Sequence, residues 1–90
     1  MTKDTNITKV AFKVNKYGDF KGDVTAIFPD SKANKGMKEC FALFEGHGEA
    51  SNDWIREKTR NAKPNEYSAT KSNLERNYGY NFEIITHIKY

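Results

Sequence analysis

Lys9–Phe28, with the sequence KVAFKVNKYGDFKGDVTAIF, decides the fold. The first part of this stretch alternates apolar with polar or small residues, which places the apolar side chains on one face of a β-strand. The last part is rich in β-branched and aromatic residues and is stopped by Pro29, which cannot donate a hydrogen bond to a neighbouring strand. Glycine, asparagine and aspartate residues between the two parts are typical of a hairpin connection. We therefore predict an antiparallel pair formed by Lys9–Asn15 and Asp23–Phe28.

Two later stretches also have strand character. Glu39–Gly46, ECFALFEG, has apolar residues on both faces, which predicts a third strand near the centre of the sheet. Asn81–Tyr90, NFEIITHIKY, alternates apolar and polar residues and predicts a fourth strand. Between them, Gly46–Asp53 interrupts the regular pattern and is predicted to be an exposed loop.

The strongest helix signal lies in Lys63–Tyr80, KPNEYSATKSNLERNYGY. Pro64 suits the first position of a helix and Gly79 suits the position just after its end. The helix is therefore predicted over Pro64–Asn77, with an apolar face formed by Tyr67, Leu74 and Tyr78. Its N-cap residue, Lys63, has no side-chain oxygen that could accept a hydrogen bond from the free amides.

Together these elements predict an α+β fold, a small antiparallel or mixed four-stranded sheet in the order β-β-β-(α)-α-β with one main helix packed on one face. The bracketed element is a short helix within Asp53–Asn61 that presents Trp54. The other face of the sheet is expected to be exposed. Because 90 residues are too few to build two cores, residues 9–90 are predicted to form a single domain, preceded by a flexible, polar N-terminus at residues 1–8.

Composition limits the compartment and the chemistry. A 13% share of aromatic residues within 37% hydrophobic residues is typical of a chain that folds. Cys40 is the only cysteine, so an internal disulfide is impossible and a reducing compartment is favoured. No apolar run is long enough for a membrane helix. We expect a cytoplasmic protein that has no cofactor and does not enter a membrane.

Gly46-His47-Gly48 is the most unusual local motif, because two glycines leave the imidazole accessible. One interpretation is a small metal-dependent enzyme in which Asp53 and His87 join His47. The alternative is a glycine-permitted turn, and the spacing of these residues matches no metal motif. Phosphate-binding loops and the GxSxG elbow of serine hydrolases are missing from the sequence, so no catalytic, cofactor-binding or metal-binding residue is assigned.

Aromatic residues beside lysines are concentrated in the connection between the first two predicted strands. Such pairs stack on nucleic-acid bases and neutralise phosphates, although they also commonly cover the ends of a small core. The net charge of +3 mildly favours an acidic partner. With the histidine motif and the tryptophan of the short helix, the candidate binding residues are Lys16, Tyr17, Phe20, Lys21, His47 and Trp54.

Three segments, TAIFPD, ECFALFEGHGEAS and KPNEYSATKSNLERNYGYNFEII, resemble a group of short uncharacterised proteins encoded by bacteriophages and mobile elements. Those proteins share a strand ending in Phe-Pro, a Gly-His-Gly turn and a Pro-x-Glu-Tyr helix ending in Gly-Tyr. The likeness covers Val10–Tyr90, with Lys63 in place of a threonine cap and Lys71 in place of a leucine. It implies a bacterial or phage origin, hence the cytoplasm of a bacterial host cell, and an accessory role, and it carries no biochemical activity.

These observations favour a non-enzymatic accessory protein that binds another macromolecule, with a protein partner held by the sheet face or by Gly46–Asp53. The first alternative is a nucleic-acid-binding protein that uses the basic and aromatic hairpin tip. The second is the small metal-dependent enzyme at His47. Pairing of two copies through an exposed sheet edge is a further hypothesis.

Overall fold

The computed structural model describes residues 7–18, 21–43, 45–79 and 81–88. Its α+β architecture confirms the predicted fold class, with six strands and two helices among the described residues. In chain order these are β1 (Ile7–Asn15), β2 (Val24–Phe28), β3 (Met37–Ala42), β4 (Gly46–Ser51), α1 (Asn52–Lys58), β5 (Thr59–Asn61), α2 (Pro64–Tyr78) and β6 (Asn81–Ile84).

The sheet is mixed and is centred on β1. Strands β1 to β4 form an antiparallel meander, in which β1 pairs with β2, β2 with β3 and β3 with β4. The other edge of β1 carries β5 in antiparallel and β6 in parallel orientation. Both lie on that edge because the alternating carbonyls of Phe12 and Val10 accept hydrogen bonds from the backbone N–H groups of Ala62 (2.9 Å) and Ile85 (2.8 Å). Successive carbonyls of a strand point to opposite edges, so carbonyls two residues apart share one.

In the middle of the chain the structure contradicts one sequence prediction and confirms another with different bounds. Residues predicted as an exposed loop at Gly46–Asp53 instead form β4 and begin α1. Their glycine-rich sequence has low strand propensity, but hydrogen bonding to β3 and the edge position compensate for it. The short helix predicted within Asp53–Asn61 ends at Lys58, and Thr59–Asn61 extends as β5 along β1.

The ends of the sheet also differ from the prediction. β1 begins at Ile7, inside the predicted flexible terminus, because Ile7 and Thr8 pair with Asn81 and Phe82 of β6. β6 ends at Ile84, whereas a strand was predicted to continue to residue 90. Residues 1–6, 89 and 90 lie outside the described residues.

Helix α2 confirms its prediction and extends one residue further, to Tyr78. Gly79 ends it in the left-handed conformation, with φ of 69°, which glycine adopts without steric cost. In place of a side-chain cap, the Lys63 carbonyl accepts a hydrogen bond from the Glu66 backbone N–H at 2.8 Å, and the Glu66 Oε1 accepts one from the Lys63 backbone N–H at 2.8 Å. Leu74 is fully buried against the sheet.

Each face of the sheet carries its own cluster of apolar side chains. On the α2 face the cluster consists of Val10, Phe12, Ala26, Phe28, Phe41 and Leu74. On the opposite face it consists of Ala11, Ile27, Ile55 and Ile88. The second face was expected to be exposed, and that prediction was wrong over β1 and β2, because Ile55 of α1 and Ile88 cover it. Within the described ranges, no helix is both long and apolar enough to cross a membrane.

Candidate binding groove

Helix α1 covers only part of its face of the sheet. Its buried residue Ile55 packs on Ala11 and Ile27, over β1 and β2. Trp54, one residue earlier, is half-buried and stands beside the strands that α1 leaves uncovered. The position of Trp54 is fixed by the Ser51 side chain, whose Oγ accepts a hydrogen bond from the Trp54 backbone N–H at 3.0 Å. This N-cap sets where α1 starts and therefore where the indole lies.

The uncovered part of this face is a floor of small side chains. Residues that lie opposite one another in neighbouring strands share a face, and the register places Thr25 opposite Ala42, Ala42 opposite Gly46, and Cys40 opposite Gly48. The floor residues are Thr25, Cys40, Ala42, Gly46, Gly48 and Ala50. Because none of these side chains is large, the surface between Trp54 and the edge of the sheet is concave.

Two concavities meet along Trp54. One, of about 430 Å³, extends from Trp54 towards Tyr17. The other, of about 540 Å³, extends from Trp54 over β3 and β4. Both are lined by Thr25, Ala42, Glu45 and Trp54, so they form one continuous depression, which we call the Trp54 groove.

A tyrosine with two lysine ammonium groups close to its ring stands at one end of the Trp54 groove. The Tyr17 side chain is 61% exposed, and the Lys16 and Lys58 ammonium groups lie 5.5 Å and 5.6 Å from the centre of its ring. Both distances fall within the range of cation–π attraction. The Lys16 backbone N–H also donates to the Lys58 carbonyl at 2.9 Å, which fixes the hairpin to the end of α1.

The hairpin connection itself is a glycine-dependent turn. Gly18 and Gly22 have φ of 82° and 94°, values that other residues rarely adopt. Lys21 is exposed in the same turn and its backbone N–H donates to the Gly18 carbonyl at 3.2 Å. Phe20, the fourth candidate residue of the hairpin tip, lies outside the described residues.

Charges of both signs line the groove. Asp23 and Glu45 share the Tyr17 end with Lys58, and Glu49 borders the far end at the β4 edge, with its side chain on the face of His47. Cationic and anionic groups together beside an apolar floor suit a ligand that itself carries both charges. A polyanion would meet repulsion from these carboxylates.

Cys40 lies on the floor as a half-buried thiol. Burial raises its pKa, and the negative charges of Glu45, Glu39 and Glu49 raise it further. The thiol is therefore held in its protonated form, whereas nucleophilic cysteines require a lowered pKa.

His47 borders the Trp54 groove at β4, but its side chain lies on the opposite face of the sheet. Its ring packs between Phe41 and Tyr78, at centroid distances of 4.9 Å and 5.1 Å. Among the described residues no three His, Cys, Asp or Glu side chains come close enough to hold a metal ion. The Gly46-His47-Gly48 motif is an edge strand whose histidine extends an aromatic cluster.

The structure thus brings together some of the predicted candidates and separates others. Tyr17 and Trp54 line one groove, Lys16 lies beside the Tyr17 ring, Lys21 lies in the adjoining turn, and His47 borders the groove with its ring on the opposite face. Sequence reasoning missed Lys58 as a binding residue, although its spacing of four residues from Trp54 places both on one side of a helix. The floor could not be found in this way, because its residues come from three strands.

Comparison of the chain with protein-family models, with curated proteins and with solved structures gives no match.

Proposed function

We propose that this protein is a non-enzymatic binding module that holds an extended polypeptide segment of a partner protein in the Trp54 groove. The observation that carries the proposal is the continuity of the groove along Trp54, from the exposed Tyr17 ring to the small-residue floor. Tryptophan and tyrosine are the side chains that most often dominate protein interfaces. A floor without bulky side chains lets a peptide backbone approach the sheet closely.

The charge pattern favours a polypeptide over other occupants. Lys16 and Lys58 offer cations at the Tyr17 end, while Asp23 and Glu45 offer anions beside them. Such a pattern selects a partner segment with both acidic and basic residues in a fixed order.

The resemblance to short bacteriophage and mobile-element proteins extends the proposal to an accessory role in the cytoplasm of a bacterial host cell. The single cysteine fits a reducing compartment. An accessory protein of this kind acts by occupying a surface of a host or phage protein. It needs no reaction centre.

Single-stranded nucleic acid is a second candidate ligand, and one observation favours it. Two ammonium groups lie near the exposed Tyr17 ring, and an exposed ring beside cations can stack a base and neutralise its phosphate. The carboxylates of Asp23 and Glu45 in the same groove oppose it, which is why we rank it second.

The test begins with a library of displayed random peptides selected on the full chain. Trp54 is the only tryptophan, so its fluorescence reports directly on binding of the selected peptides in the groove. We expect the emission to shift on titration, and Tyr17→Ala to weaken binding roughly tenfold or more, as for an interface hot spot. Ala42→Arg, which fills the floor, should abolish binding.

A matched control is Tyr78→Ala, which removes another exposed tyrosine, 53% accessible, from the opposite side of the sheet. Its affinity for the selected peptides should equal that of the unmodified protein. Selected peptides that bind Ala42→Arg as tightly as the unmodified chain would refute the groove as the site. Oligothymidylate binding that weakens steeply with salt, with no peptide selected, would replace the proposal by the nucleic-acid alternative.

A further inference from the structure

β4 is a terminal strand of the sheet. Among the described residues its paired neighbour is β3, and its other edge carries no strand. Proteins usually protect such an edge with proline, with several charged residues or with a bulge. The sequence of β4, GHGEAS, has no proline and one acidic residue, and its register with β3 runs without a bulge from Met37 opposite Ser51 to Ala42 opposite Gly46.

The hydrogen bonds next to this ladder show which residues point outward. The Asn52 backbone N–H donates to the Gly36 carbonyl at 2.9 Å, so these two residues form a hydrogen-bonded pair. In an antiparallel ladder every second pair is hydrogen-bonded. Gly48 and Ala50 therefore bond to β3, while His47 and Glu49 direct their N–H and C=O groups to the free edge.

The outward direction of the His47 and Glu49 backbone groups restricts how a second copy of β4 could pair with this strand. Antiparallel pairing about a two-fold axis must match outward-directed residues with outward-directed residues. An axis at Gly48 places His47 opposite Glu49 of the second copy, and by symmetry Glu49 opposite His47. An axis at Glu49 or at His47 would oppose identical residues, and an axis at Ala50 would oppose Glu49 to Ser51.

We propose that two copies of this chain associate by antiparallel pairing of β4 with β4 about a two-fold axis at Gly48. Each His47–Glu49 pair then exchanges both of its backbone hydrogen bonds, and an imidazole faces a carboxylate on the same face of the joined sheet. The inference does not depend on what occupies the Trp54 groove.

Contacts within the single chain already restrain the His47 and Glu49 side chains at the free edge of β4. The His47 ring packs against Phe41 and Tyr78. The Glu49 carboxylate accepts a hydrogen bond from the Asn34 side-chain amide at 3.0 Å. Both partners of the cross-strand pair thus lose little side-chain freedom on association. At the axis Gly48 has no side chain, so the two directly opposed residues cannot clash above the sheet.

The first test is a charge exchange followed by sedimentation velocity across a wide range of protein concentration. The unmodified chain should show a concentration-dependent dimer. In His47→Glu the new carboxylate lies opposite the Glu49 carboxylate of the second copy. In Glu49→Lys the new ammonium group lies opposite His47 of the second copy. Each change should raise the dimer dissociation constant roughly two- to thirtyfold. The double variant His47→Glu/Glu49→Lys restores opposite charges in this register and should recover the dimer.

The second test is a cross-link that reports the register. Gly48 has no left-handed φ and an added Cβ would meet no atom within 4 Å, so Gly48→Cys fits the folded strand. Residues opposite one another in a non-hydrogen-bonded pair have Cα atoms about 4.5 Å apart, within disulfide range. Because Cys40 lies opposite Gly48 in β3, the variant is made with Cys40→Ser, and mild oxidation should yield a covalent dimer.

Ala50→Cys in the same Cys40→Ser background is the matched control. Its two copies would lie far apart along the strands in the proposed register, so it should not cross-link. Circular dichroism of every variant verifies that the fold is retained. A folded chain that stays monomeric at all concentrations, a dimer insensitive to both single charge variants, or cross-linking through Ala50→Cys would each overturn the proposal.

Discussion

The Tyr67 ring stacks on the Phe12 ring with their centroids 4.5 Å apart and their planes inclined by 15°. This contact joins α2 to the central strand of the sheet, and Phe82 of β6 meets the same Phe12 ring edge-on at 6.3 Å. One buried phenylalanine therefore connects three elements.

A double-mutant cycle measures this contact. Phe12→Leu and Tyr67→Leu should each lower the free energy of unfolding, with a coupling energy of about 0.5–1.5 kcal/mol, because stacked rings gain energy beyond their buried area. Urea denaturation of the four proteins gives the value. A parallel cycle of Phe12→Leu with Tyr17→Leu, whose ring contacts Lys16 and Lys58 instead, should give coupling near zero. Equal coupling in both cycles would contradict the assigned contact.

Acid should weaken the link between β5 and α2. The Arg60 guanidinium donates to both Glu66 carboxylate oxygens. These bonds, with the Lys63 backbone N–H, lower the pKa of Glu66 from 4.5 to about 2. A lowered carboxyl pKa means that the stabilisation is present above pH 4.5 and is lost as the pH falls towards 2.

Glu66→Gln should therefore lower the melting temperature at pH 7, with a difference from the unmodified protein that shrinks below pH 4.5. Thermal unfolding followed by circular dichroism at several pH values tests this. Glu75→Gln, which loses only the exposed pair with Lys71, is the control and should have a smaller effect at pH 7. A difference for Glu66→Gln that stays constant down to pH 2 would be inconsistent with an ionic contribution.

Alkali should stabilise the protein through Lys13. This lysine is 9% exposed, its ammonium group donates to Asn61 Oδ1 at 2.6 Å, and burial lowers its pKa below 10.5. Because the unfolded chain holds the proton more tightly, stability should rise as the pH increases from the folded-state pKa to 10.5.

Lys13→Met should remove this rise without lowering stability at pH 7, since Asn61 is exposed and can bond to water. Urea denaturation at pH 7 and above gives the comparison. Lys9→Met alters an exposed lysine of the same strand and should preserve the rise. A clear loss of stability at pH 7 in Lys13→Met would mean that the Lys13–Asn61 bond outweighs the cost of burying the charge.

Thiol chemistry probes the groove independently. Because burial and three nearby carboxylates raise the pKa of Cys40, alkylation by iodoacetamide at pH 7.5 should be slower than for the same protein unfolded in urea. Peptides that bind the Trp54 groove should slow it further, since Cys40 lies on the floor. Alkylation as fast as in the unfolded chain would show that the thiol is not held in its protonated form.

The elements with strong local patterns were predictable. The hairpin of β1 and β2 follows from alternation and turn residues, and α2 follows from Pro64 and Gly79. Strand β4 was not predictable, because Gly46-His47-Gly48 has no strand propensity and is extended only because it is hydrogen-bonded to β3. In sequence, Ile88 continues the alternation of Phe82 and Ile84 that predicted a strand, yet Ile88 and Ile85 belong to the cluster beneath α1.

The candidate site was only partly predictable for a similar reason. Lys16 and Tyr17 are neighbours in sequence and remain neighbours in space, and Trp54 joins them through Lys58 at the end of α1. His47 was selected because two glycines flank it, and the neighbouring sequence does not indicate that its ring faces Phe41 and Tyr78. Small floor residues such as Ala42 give no indication of a binding site in the sequence, because the floor exists only once the register of β2, β3 and β4 is known.

The parallel pairing of β1 with β6, which sets Val10 opposite Ile84, also orders events during synthesis. A ribosome makes the central strand long before the strand that completes its edge, so a nascent chain carries β1 half-paired. The apolar run around Val10 is then open to mispairing with other chains, a hazard of strands that wait for distant partners. The pairing of β6 with β1 is expected to form late and to make folding slower than in helical proteins of equal length.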